Sequence, residues 1–81
     1  MRVMYFAWLR ERIGKGSEEV ETSAATVAEL IKELRARELR YEVAFEDTSA
    51  LRVAVDQTLT GFDAPLAGVR EVAFFPPMTG G

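Results

Sequence analysis

The first apolar run, RVMYFAW (residues 2–8), alternates Val3, Tyr5 and Ala7 with Met4, Phe6 and Trp8. Period-two alternation of β-branched and aromatic side chains predicts a strand. Both rows are apolar, so this strand is expected inside a sheet, covered on part of both faces. LRERIGKG (9–16) carries two glycines and mixed charges, which suits a short helical turn and a loop. SEEVET (17–22) reads as a polar edge strand. Its Glu18, Glu19 and Glu21 are expected to be solvated charges that discourage strand addition.

The period then changes. Val27, Leu30, Ile31 and Leu34 recur at helical spacing. Thr26 and Glu29 form a capping-box pattern ahead of that stripe, each side chain placed to satisfy a backbone N–H of the first turn. Glu33 and Arg37 are spaced for an i,i+4 ion pair. Arg35, Arg37 and Arg40 gather at the end of the helix, where its dipole favours cations.

YEVAFEDTSA (41–50) has no clear period, although Asp47, Thr48 and Ser49 suit a turn. LRVAVD (51–56) alternates cleanly, with Leu51, Val53 and Val55 on one face. Asp56 and Gln57 predict a tight turn into a short strand at Thr58–Thr60, and GFDAP (61–65) is a loop by composition. VREVAFF (69–75) is the last strand, with Val72 and Phe74 on one face and Glu71, Ala73 and Phe75 on the other. The result is an α+β plan with one helix packed on one sheet. A single helix covers a single sheet face.

At 81 residues the chain allows one domain, expected over residues 1–76, with 77–81 as a flexible tail. The absence of cysteine and histidine argues against disulfides, the usual zinc and iron–sulfur sites, and thiol or imidazole catalysis. No metal site is expected. A net charge of −3 gives no electrostatic footprint for nucleic acid. No apolar run approaches the roughly 20 residues that cross a bilayer. The opening apolar run is too short for a signal peptide, which points to the cytoplasm.

The chemistry then falls to FFPPMTGG (74–81). Pro76 and Pro77 lack the N–H that would continue a strand ladder, and they favour an extended chain. They end the last strand and aim the tail away from the body. Gly80 and Gly81 carry no Cβ and fit a channel too narrow for side chains. Two closing glycines arise by chance in about 0.5% of chains. A proline pair that launches them from a strand makes chance a poorer explanation.

VAFFPPMTGG, the upstream VDQTL (55–59), the TVAELIKEL helix start (26–34) and the opening YFAWLRERIG (5–14) together resemble the small subunit of molybdopterin synthase. The likeness spans essentially the whole chain, and the tail is its most specific part. It departs at Asp56, where the family commonly has asparagine, and at Met78, where valine is common. The resemblance implies a ubiquitin-like β-grasp fold, one mixed sheet packed on one main helix.

It also implies a sulfur carrier for molybdenum cofactor biosynthesis, a sulfur-donating subunit rather than an enzyme in its own right. Gly81 would be adenylated by a ubiquitin-activating-type adenylyltransferase that uses ATP. A persulfide-bearing protein would then supply sulfur, leaving a thiocarboxylate. The carrier itself would bind no cofactor. The large synthase subunit would receive the tail and pass the sulfur to cyclic pyranopterin monophosphate. Gly80 would allow close approach, and Thr79, Met78, Pro77 and Pro76 would lie in the partner's channel.

Phe75, opposite Phe74 by alternation, is the expected partner contact. Leu59 fits either the same patch or the core. A thiamine-type sulfur carrier and a ubiquitin-like protein modifier are alternatives that share the activation chemistry.

Overall fold

The computed structural model describes residues 1–77. The chain runs β1 (Arg2–Tyr5), α1 (Trp8–Ile13), β2 (Ser17–Glu19), α2 (Val27–Arg37) and α3 (Leu39–Ala44). A single 3₁₀ turn (Thr48–Ala50), β3 (Arg52–Val55), β4 (Thr58–Thr60) and β5 (Glu71–Phe75) follow. The five strands form one mixed sheet in the order β2-β1-β5-β3-β4. β1 and β5 are parallel, and the other neighbouring pairs are antiparallel. This is the ubiquitin-like β-grasp arrangement. No helix among the described residues is long and apolar enough to cross a membrane.

Register decides which side chains share a face. Val3 lies opposite Val72 and Tyr5 opposite Phe74, while Val53 and Val55 flank the same two β5 residues from the other side. All of these except the partly exposed Val55 are buried beneath Val27, Leu30, Ile31 and Leu34 of α2. Phe74 is at the centre. Its ring is stacked against Tyr5 at 6.4 Å and meets Phe45 edge-on at 5.1 Å, geometries that add to the gain from burial.

α2 is held where its sequence predicts. Thr26 Oγ1 accepts from the Glu29 N–H at 3.3 Å, but Glu29 reaches one residue further back and accepts from the Ala25 N–H at 2.7 Å. The N–H groups of Val27 and Ala28 donate to the carbonyls of Ala64 and Phe62, so the 61–65 loop completes the cap.

Several local expectations change. β1 stops at Tyr5 because Ala7 takes a positive-φ backbone (φ 54, ψ −132) that turns the chain into α1. That conformation suits glycine and costs an alanine on the order of 1 kcal/mol. Cover on β1 is one-sided: Val3 and Tyr5 are buried, Met4 is half-buried and Phe6 is exposed. The expected strand over 17–22 ends at Glu19. The segment without a period supplies α3, which buries Tyr41 and Ala44. The Glu33–Arg37 pair does not form; Glu33 accepts from the Thr22 hydroxyl, and Arg37 turns toward Glu18 at 3.7 Å. The turn at Asp56 and Gln57 is as expected, with both residues at positive φ (48 and 69).

Glu18 is the largest departure from a solvated edge. Its side chain is only 9% exposed. The Tyr5 and Tyr41 hydroxyls each donate to Glu18 Oε2 at 2.7 Å, and Lys15 lies 3.4 Å from Oε1. One carboxylate thereby joins β1, β2 and α3. Burial pushes the Glu18 carboxyl up, but the hydrogen bonds from Tyr5 and Tyr41 and the Lys15 charge outweigh it and hold the group below its ordinary 4.5. Burial, and then the adjoining Glu18, raise both tyrosines above their ordinary 10.0.

The signs follow from linkage. The Glu18 contribution is full above pH 4.5 and is lost as the pH falls through the lower folded-state value. The tyrosine contribution is full below pH 10.0 and is lost as the pH rises beyond it. Glu18→Ala, which strands two hydroxyls, should cost about 2–4 kcal/mol in urea unfolding and reduce the loss of stability below pH 4.5. Both tyrosines of the chain should ionise at higher pH in the folded protein than in urea, read as phenolate absorbance. A variant as stable and as acid-sensitive as wild type, or the same phenolate titration in folded and unfolded protein, contradicts this account.

Candidate functional site

The helices occupy one side of the sheet and leave the other open. Alternation from the registered pairs puts Met4, Ala73, Ala54 and Leu59 in one row across that open face. A second row holds Arg52 opposite Phe75. Phe6 extends this row, because its N–H donates to the Phe74 carbonyl and carries the β1–β5 pairing one step past β1. The open face is therefore largely apolar at the end where β5 finishes. Its far end is charged, with Arg2 3.8 Å from Glu19.

Phe75 is half-buried and Leu59 is 65% exposed, one row apart on this face. Leu59 is thus surface, which removes the core alternative. Pro76 and Pro77 are half-buried and follow β5 without an intervening turn. Met78, Thr79, Gly80 and Gly81 lie outside the described residues.

Phe6 is the member that sequence reasoning missed. It is 41% exposed beside Phe75. Its signal was the second apolar row of the first run, which looked like a buried face until the helices proved to lie on one side only. An exposed aromatic beside a half-buried one is the composition expected of a binding surface.

A concavity of about 560 Å³ on the helix side is lined by Ala28, Ile31, Lys32, Arg35 and Phe62 among others. None of its lining residues belongs to β5 or to the open face. The charged side chains of the open face, Arg2, Glu19, Arg52 and Glu71, form no nucleophile–base pair. The exposed apolar area where β5 ends is of the kind that contacts another protein.

Known proteins agree with this organisation. The ThiS family matches residues 3–81. The molybdopterin synthase sulfur carrier subunit of Escherichia coli (strain K12) is 44% identical over 81 residues, covering 100% of this chain and 99% of that protein. The corresponding subunit of Haemophilus influenzae is 35% identical over the same span. A solved chain from Pyrococcus furiosus described as a molybdopterin converting factor, subunit 1, superposes with a TM-score of 0.72 at 28% identity, covering 95% of each chain. SAMP1 from Haloferax volcanii superposes with a TM-score of 0.75 over 100% of this chain and 98% of its own, at 24% identity, and so shares the fold.

The two neighbouring phenylalanines lie on opposite faces of the sheet, Phe74 buried and Phe75 half-buried. Phe74→Ala should cost about 3–5 kcal/mol in denaturant unfolding, the usual loss for a buried aromatic. Phe75→Ala should cost no more than about half as much. Equal losses would place both rings in the core and remove Phe75 from the open face.

Proposed function

The chain belongs to the ThiS family, and from that premise we propose that it is the sulfur carrier subunit of a molybdopterin synthase, docked through its open sheet face on the large subunit. The observation that carries this reading is the full-length 44% identity to a carrier subunit. The geometry adds support: β5 runs from the middle of the sheet directly into Pro76 and Pro77 beside Phe75 and Phe6.

The chemistry proceeds at Gly81. A free carboxylate is a poor electrophile. Its oxygen attacks the α-phosphate of ATP on an adenylyltransferase of the ubiquitin-activating type, and pyrophosphate leaves. The terminal sulfur of a protein persulfide then attacks the acyl adenylate and AMP departs. A thiol reduces the resulting acyl disulfide, leaving the thiocarboxylate. In the large subunit the sulfur passes to cyclic pyranopterin monophosphate, and hydrolysis restores the carboxylate. The need for ATP fits a cytoplasmic setting.

Each part of the chain has one task in this scheme. The open face gives the partner a surface to grip. Pro76 and Pro77 carry the chain off the sheet, and Met78, Thr79 and Gly80 pass through the partner's channel. Holding such a segment straight costs about 1–2 kcal/mol per residue in backbone entropy, which contacts on the open face offset. General bases and phosphate-binding cations come from the partners, since the chain has no histidine and only Lys15 and Lys32 as lysines.

Intact-mass measurement tests the reading after the protein is incubated with the activating enzyme, ATP and a persulfide donor. One oxygen-for-sulfur exchange is expected. Gly81→Ala should keep the melting temperature and lose the exchange. An unchanged wild-type mass would sink the proposal, a ladder of conjugates would favour the modifier alternative, and sulfur delivered only to a thiamine precursor would favour the thiamine-type carrier.

A further inference from the structure

We propose that Arg52 is the residue of the open face that reads charge on the partner, and that it receives a carboxylate side chain of the large synthase subunit. The inference rests on the docking role of that face and goes beyond it by naming the group the partner must present.

Arg52 lies directly across from Phe75 in the β3–β5 register. Side chains in such a pair have their Cβ atoms about 4.5–5.5 Å apart, so the Arg52 side chain leaves the sheet beside Phe75. Arg52 is exposed, and no carboxylate lies within ion-pair distance of it among the described residues. Arg10, Arg12, Lys32 and Arg70 also lack an ion pair among the described residues, but none of them belongs to the two rows of the open face; five other cations are paired. Arg2 pairs with Glu19, Arg35 with Glu42, Lys15 and Arg37 with Glu18, and Arg40 with Glu38.

Among the described residues the Arg52 side chain makes one hydrogen bond, from Nη1 to the Leu51 carbonyl at 2.9 Å. That bond steadies one arm of the guanidinium and leaves its remaining donors for a ligand. The planar fork matches a carboxylate in two-point geometry.

Position gives this cation its use. The rest of its row is Phe75 and Phe6, which offer area without direction. A charge beside them fixes the orientation of the partner and disfavours a surface that presents lysine or arginine there. It stands next to the last residue of β5, where the tail begins, so an ion pair here also sets the line along which Pro76 leaves.

The test is calorimetric titration of the full chain with the large synthase subunit of the same organism across a series of salt concentrations. Arg52→Gln should weaken binding roughly threefold to tenfold at low salt, as expected for a charge pair at an interface rim. It should also flatten the dependence of affinity on salt, and Arg52→Glu should weaken binding further. Phe75→Ala should weaken binding at every salt concentration and leave the salt dependence unchanged. Wild-type affinity and salt dependence in Arg52→Gln, together with a loss in Phe75→Ala, would overturn the role of Arg52 and keep the docking face. Wild-type binding in Phe75→Ala would overturn the docking face itself.

Discussion

Parallel pairing of β1 with β5 brings the ends of both strands to the same margin of the sheet. Parallel neighbours cannot be joined by a tight turn, so all intervening secondary structure is built into the crossover between them. The pairing seats Phe74 between Tyr5 and Phe45 at the centre of the core. It also carries Phe6 alongside Phe75 and leaves Pro76 and Pro77 at an exit beside two aromatic rings. Fold and site share this one strand pair. The alternation that buries Phe74 presents Phe75.

The second constraint is that cover comes from one side. α2, α1 and α3 bury the Val3, Tyr5, Val53, Val72 and Phe74 face, and the opposite face keeps Met4, Phe6, Phe75 and Leu59 partly or largely exposed. A small domain would ordinarily avoid such a surface. Its persistence at the tail end is intelligible if another protein covers it in use. The body itself remains firm because β2 and α3 are fastened by Glu18 under two tyrosines, and because the 61–65 loop closes the start of α2.

Much of this was legible in the residues, and the exceptions share a cause. The α2 stripe, the Thr26 cap, the turn at Asp56 and Gln57 and the alternation in VREVAFF are local patterns, and the structure follows them. Glu18 resembled its exposed neighbours Glu19 and Glu21, because its partners Tyr5 and Tyr41 stand 13 and 23 residues away. α3 was hidden in a stretch too short and too mixed to show a period. Phe6 was visible as an apolar residue, but its exposure depends on which side the helices occupy, a tertiary fact. Phe75 was singled out by alternation with Phe74, Leu59 stayed open between surface and core until its exposure was seen, and Arg52 drew notice only through its register with Phe75.

An apolar face where β5 ends fits the proposed docking of a carrier on its partner. The central claim is that Gly81 delivers sulfur to the pterin. Its most direct test is a single-turnover reaction of thiocarboxylated carrier with the large subunit and cyclic pyranopterin monophosphate, followed by the mass of the carrier and the appearance of the dithiolene. The account predicts that two thiocarboxylates revert to carboxylate for each dithiolene formed. A dithiolene that forms while the thiocarboxylate persists, or reversion of excess thiocarboxylate with no sulfur appearing in the pterin, would contradict the claim.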